Sequence, residues 1–175
     1  RRKLNRGVHL DGDMIVCDID KRIPVCRTGE LQVLGTHNYE NVMAAAAMAY
    51  VYGVPVEVIR ETLKEFKGVE HRIEFVAEKN GDAYYNDSKG TNPDAAIRGI
   101  RAMNRPTVLI GGGYDKDSSY DEWIQAFDGK VRKLVLLGAT REKIAQAAEK
   151  AGFEDVVMAD TFEEAFEKSV EYAQP

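Results

Sequence analysis

Asp87, Ser88, Lys89 and Thr91 place a carboxylate, an ammonium and two hydroxyls within five residues. Asn92 follows, a residue type that caps helices, and Pro93 suits a first helical turn, where no backbone donor is needed. Such a loop sits over exposed N–H groups at the positive end of a helix dipole, where an anion is stabilised. Read alone, it is better taken as a well-capped turn carrying a solvated lysine. A second polar cluster is Gly111-Gly112-Gly113-Tyr114-Asp115-Lys116-Asp117. Its glycines permit close backbone approach, while Lys116 is either an anion contact or a solvated cation between two acids.

That glycine run is not a phosphate loop, because Asp115 precedes Lys116 and Asp117 follows it. It lacks the third glycine of a dinucleotide fingerprint, and no Asp/Glu/His cluster offers a Mg²⁺ site. Asn38 and Asn41 lie three apart at a predicted helix start, so both could face one ligand, although Asn there commonly serves as a cap. Arg72 offers the planar fork that grips phosphate, or is a surface cation. His71 beside it reads as structural.

The elements that position these residues show two rhythms. Residues 12–17 and 22–27 alternate around 18–21 and predict a hairpin. A helix is predicted over 38–52, with Val42, Ala45, Ala46 and Ala49 on its apolar face and Gly53 ending it. A second covers 56–66, with Val58, Ile59, Leu63 and Phe66 on one side. After Gly68, alternation at Ile73, Phe75 and Ala77 runs into Asn80-Gly81, a two-residue hairpin turn, and returns over 83–85.

Strand–helix units then repeat. Strand 107–110 precedes a helix begun by the capping box Ser119-x-x-Glu122, and strand 131–137 precedes a helix over 142–150 closed by Gly152. Strand 156–158 precedes a helix begun by Thr161-x-x-Glu164, with Phe162, Ala165, Phe166 and Val170 apolar. This order implies a mostly parallel sheet covered on both faces, a Rossmann-like α/β domain with an antiparallel hairpin at its start. The expected domains are 1–68, an incomplete core, and 69–175. A hinge is expected at 67–69, with separate cores meeting near Gly68 and few apolar contacts across the junction.

The 175 residues, 44% hydrophobic and 30% charged, read as a soluble globular chain long enough for a core. A net charge of −5 without a basic stripe argues against nucleic-acid binding, and no apolar run reaches transmembrane length. Cys17 and Cys26 lack metal-ligand spacing; they could meet across the hairpin but read as free thiols.

Four motifs, Gly35-Thr36-His37-Asn38-Tyr39-Glu40-Asn41, Glu70-His71-Arg72, Asn86-Asp87-Ser88-Lys89-Gly90-Thr91-Asn92 and Gly112-Gly113-Tyr114-Asp115-Lys116, occur in the order and spacing of the Mur ligases. The chain resembles that family over nearly its whole length. The Asp-Ser-Lys-x-Thr-Asn-Pro block points to its D-glutamate-adding branch. The resemblance implies an ATP-dependent ligase of peptidoglycan synthesis, cytoplasmic and monomeric, joining D-glutamate to UDP-N-acetylmuramoyl-L-alanine through an acyl phosphate. It implies nucleotide contacts at Asn38, Asn41, Arg72 and Asp87, and substrate contacts at Lys89, Thr91 and Lys116, with no catalytic or metal residue assigned. It further implies that this is the carboxyl-terminal part of such an enzyme, with residues 1–68 ending a central ATP-binding domain. The phosphate loop, Mg²⁺ ligands and nucleotide-sugar pocket are expected before Arg1, and a last strand after Pro175, so the 175 residues alone are expected to be inactive. Another amino-acid-adding Mur-type ligase, or a non-catalytic Rossmann-type nucleotide-binding module, are the alternatives.

Overall fold

The computed structural model describes residues 6–173. The chain divides into two compact units, Arg1–Glu74 and Phe75–Pro175. The division falls after Glu74, a few residues beyond the expected hinge. Gly68 itself, at φ +100°, lies close to Val33 within the first unit. Among the described residues no buried hydrophobic side chain lies between Leu63 and Ile97, and each unit has its own core.

The first unit is an antiparallel sheet of β1 (Gly7–Asp11), β2 (Met14–Asp18) and β3 (Arg22–Arg27), in that order, with α1 (Thr36–Val51) and α2 (Val56–Glu65). The predicted hairpin is β2–β3. The alternation of β1 is only five residues long, and its tight turn uses Gly12 at φ +65°. Arg27 clamps the turn from the third strand, reaching both Asp13 carboxylate oxygens at 2.8 Å. Cys17 pairs with Ile23 and Cys26 with Ile15, so the thiols are not opposite one another. Both are free and buried, and burial raises their pKa values, which keeps them as inert thiols.

Two expected apolar faces differ from those observed. In α1 the buried positions are Val42 and Ala46, whereas Ala45, Met48 and Val51 face outward; the helix is apolar around much of its circumference. In α2 the core face is Val56, Ile59 and Leu63, with Val58 and Phe66 exposed. No helix among the described residues is long and apolar enough to cross a membrane.

The second unit opens with the hairpin β4 (Glu74–Lys79) and β5 (Asp82–Asn86), a two-stranded sheet of its own. Asn80 and Gly81 take φ values of +56° and +90°, the left-handed pair that a two-residue hairpin turn requires. Then follow α3 (Pro93–Ala102), β6 (Thr107–Gly112), α4 (Asp121–Gln125), β7 (Val131–Leu137), α5 (Arg141–Lys150), β8 (Val156–Met158) and α6 (Phe162–Tyr172). The strands β6, β7 and β8 form a parallel sheet with β7 in the middle. Leu134, Val135 and Leu136 have no exposed surface, as a central strand covered on both faces requires. Alternation divides them: Leu134 and Leu136 pack with Ile97, Ile100, Trp123 and Ile144 from α3, α4 and α5. Val135 packs with Ala165 of α6 on the other face. This is the expected α/β arrangement.

Of the three helix starts marked by capping residues in the sequence, Asn92 and Thr161 cap as expected and Ser119 does not. Thr161 accepts from the Glu164 backbone N–H at 3.1 Å, as its motif predicts. Ser119 does not cap α4; the cap position is Tyr120, and the Ser119 hydroxyl donates to the Asp121 carboxylate at 2.8 Å instead. In α6, Phe162 and Phe166 stay largely exposed, and Phe166 packs tilted against Tyr84 of β5. Asn92 accepts from the Ala95 backbone N–H at 2.9 Å, with Pro93 in the first turn of α3. Asn92→Ala is expected to lower stability by about 1 kcal/mol, read as a shift in denaturant midpoint at unchanged slope.

Candidate functional site

In an open parallel sheet, ligands bind at the carboxyl ends of the strands, where loops leave for opposite faces. Here the loop after β6 is fastened to the loop after β7. Gly112 takes φ +117°, and a methyl group there would overlap the Leu137 carbonyl oxygen. A Cβ on Gly138 would lie 2.9 Å from the Gly113 backbone. The buried Thr140 donates its backbone N–H to the Gly113 carbonyl at 3.1 Å. Only glycine allows such backbone approach, which explains the glycine run after β6 without any nucleotide fingerprint.

The same loop then presents Lys116. Its Nζ donates to the Thr91 backbone carbonyl at 3.1 Å, which draws the 87–92 and 113–118 loops together. Two of the expected substrate contacts are therefore neighbours. The acids on either side of Lys116 are occupied elsewhere: Lys143 of α5 lies 3.4 Å from Asp115 and 3.5 Å from Asp117. Burial opposes the charge on Lys143, but Asp115 and Asp117 outweigh it and raise its pKa. Asp117, at φ +56°, donates its backbone N–H to the Asp115 carboxylate at 2.8 Å, which fixes the turn. Lys143 escaped the sequence reading because it looks like any solvated helix cation, and Asp115, one of its partners, lies 28 positions earlier.

Ser88 and Lys89 sit exposed at the tip of the other loop, where the Ser88 N–H donates to Asn86 Oδ1 at 3.1 Å. Asp87 is half-buried. Its backbone carbonyl accepts from Gly90 N–H at 2.7 Å, and its carboxylate points against the α3 face at Gly99.

In the first unit, Asn38 and Asn41 share one face of the first turns of α1. Asn38 Nδ2 donates to the Leu34 carbonyl at 2.7 Å, and Asn41 Nδ2 lies 3.4 Å from Asn38 Oδ1. Together they leave amide donors and an acceptor at the helix start, a donor set suited to a base or ribose edge. Exposed Arg72 stands between His71 at φ +65° and Ile73 at φ +46°. For a β-branched residue this is strained backbone, and strain of this kind concentrates at binding sites. The His71 backbone N–H donates to Glu74 Oε2 at 2.8 Å, a loop-fixing contact. Among the described residues no group of three or more His, Cys, Asp or Glu side chains is placed to hold a metal ion.

Residues 71–175 match the family model described as "Mur ligase, glutamate ligase domain". The chain belongs to the Mur ligase family. It is 56% identical over 98% of its length to the UDP-N-acetylmuramoylalanine–D-glutamate ligase of Lachnoclostridium phytofermentans, of which it covers 38%. It is 51% identical over 93% of its length to the ligase of the same name from Lachnospira eligens, covering 36% of that protein. The chain thus spans little more than a third of the length of these curated Mur ligase relatives.

Among solved structures, folylpolyglutamate synthase of Mycobacterium tuberculosis in complex with ADP superposes with a TM-score of 0.68 at 18% identity, over 97% of this chain and 40% of that one. UDP-N-acetylmuramate–alanine ligase of Thermotoga maritima superposes with a TM-score of 0.66 at 18% identity, over 85% of this chain and 35% of that one. At such identities the likeness speaks for the fold of the Mur ligase family.

Proposed function

We propose that these residues form the amino-acid-binding part of a ligase that adds D-glutamate to UDP-N-acetylmuramoyl-L-alanine in peptidoglycan synthesis, in the cytoplasm and as a monomer. The observation that carries this reading is the Lys116–Thr91 bridge at the sheet's carboxyl edge. D-Glutamate has two carboxylates, and the reacting centre gains further negative charge. Lys116, Lys89 and the Thr91 hydroxyl supply cations and a donor that hold those charges without taking part in proton transfer. The names of the relatives above support the choice of amino acid.

ATP supplies the leaving group, by transferring its γ-phosphoryl to the carboxylate of the nucleotide-sugar substrate. Held by its carboxylates, D-glutamate presents its free amine to the resulting carbonyl carbon; the C–N bond forms, phosphate leaves, and the amine proton goes to solvent. Asn38 and Asn41 serve the base and ribose side of the nucleotide, while Arg72 and Asp87 contact ATP, Arg72 with the planar fork that suits phosphate. Among the described residues no group of three or more His, Cys, Asp or Glu side chains would hold a Mg²⁺ ion by itself.

The test is an amino-acid panel with the complete ligase carrying this sequence, given ATP and UDP-N-acetylmuramoyl-L-alanine. Amide product is expected with D-glutamate alone. Equal or better turnover of L-glutamate, L-alanine or diaminopimelate would assign it to another amino-acid-adding branch.

A further inference from the structure

Glycine inside a helix is disfavoured relative to alanine, yet Gly99 occupies the interior of α3 with ordinary helical backbone. Packing explains it. A Cβ at position 99 would lie 2.7 Å from Oδ2 of Asp87, closer than real Cβ atoms approach. Its next contact, at 3.7 Å, is the Asp87 carboxyl carbon, and beyond its own turn of helix it meets no other residue within 4 Å. A Cβ at Gly90 would lie 2.8 Å from the same Oδ2 and 3.0 Å from the Asp87 backbone oxygen. The Asp87 carboxylate thus lies against two glycines, one in its own loop and one on the helix that follows.

We propose that Gly99 is a positioning residue: by lacking a side chain it keeps open the groove on α3 that fixes the Asp87 carboxylate. The purpose of the seat rests on the reading that Asp87 serves the nucleotide. The seat itself rests on the geometry alone. A methyl at 99 meets only the movable end of a side chain, so the helix keeps its place while the carboxylate is turned away. Alanine there therefore separates folding from function. An ordinary packing role for Gly99 would couple them, because filling a tight core site destabilises it.

The first arm measures thermal unfolding and side-chain resonances in the complete ligase. Gly99→Ala is expected to leave the melting temperature unchanged or slightly raised and to move the Asp87 side-chain carboxyl ¹³C resonance. A marked fall in melting temperature, or an unmoved resonance, overturns the proposal. The second arm uses the complete ligase in a double-mutant cycle. Gly99→Ala and Asp87→Ala are each expected to raise the KM for ATP about tenfold, with little change in KM for D-glutamate. Their combination should be no worse than Asp87→Ala alone. If Asp87→Ala raises the ATP KM and Gly99→Ala does not, positioning by Gly99 is wrong while the nucleotide reading survives. If the resonance moves but Asp87→Ala leaves ATP kinetics intact, the seat stands and the nucleotide role of Asp87 falls.

Discussion

Lys116→Ala in the complete ligase should lower kcat/KM for D-glutamate by more than tenfold while leaving the KM for ATP nearly unchanged. A charge-assisted hydrogen bond contributes on the order of 1.5–3 kcal/mol, and each 1.4 kcal/mol is a factor of ten. The truncation also removes the tie from Nζ to the Thr91 carbonyl, which holds the 87–92 and 113–118 loops together. Both consequences act on the amino acid. With Asp115 and Asp117 drawn toward Lys143, no other ammonium on the 113–118 loop replaces the lost one. Lys116→Arg should keep part of the effect, since charge remains but the shape of the donor changes. Steady-state kinetics unchanged in Lys116→Ala would return this lysine to the solvated surface.

Gly112→Ala should be the most damaging single methyl addition in the second unit. The φ of +117° is one that side-chain-bearing residues rarely adopt, and the added carbon overlaps the Leu137 backbone carbonyl. Backbone strain of this kind costs about 1–3 kcal/mol, and overpacking against a fixed group a further ~1–3 kcal/mol. The expected loss is therefore on the order of 3 kcal/mol or more, read from denaturant midpoints. Gly152→Ala is the control: its φ of +76° is also left-handed, but the space around it is open. It should lose only the conformational part, about 1 kcal/mol. Equal losses at the two positions would show that the close approach of the β6 and β7 loops contributes nothing.

How legible these features were depended on the reach of the interaction behind each. The second unit's strand–helix order was readable because β7 is a seven-residue run with a buried centre, and Asn80-Gly81, Thr161 and Asn92 signal turns and caps over two to four residues. β1 was missed because it is short and gains its burial from β2, which follows it. The start of α4 was misjudged because the Ser119 hydroxyl found a carboxylate in place of the helix end. The core faces of α1, α2 and α6 were drawn too wide, since periodicity does not reveal which apolar positions find a partner.

For the candidate site, motif order pointed to the loops, and the structure brings Thr91 and Lys116 together there. Lys143 and Gly99 had no local signature. One acts on the distant acids Asp115 and Asp117, the first of them 28 positions away, and the other acts by having no side chain where the Asp87 carboxylate must lie.

The central claim is that these residues serve an enzyme that couples ATP cleavage to joining D-glutamate to a nucleotide-sugar acceptor. It is tested most directly by phosphate release from the complete ligase, with each substrate omitted in turn. The account predicts release only when ATP, UDP-N-acetylmuramoyl-L-alanine and D-glutamate are all present, with one phosphate formed per amide bond. Sustained phosphate release that does not depend on D-glutamate, or none with all three present, would contradict it.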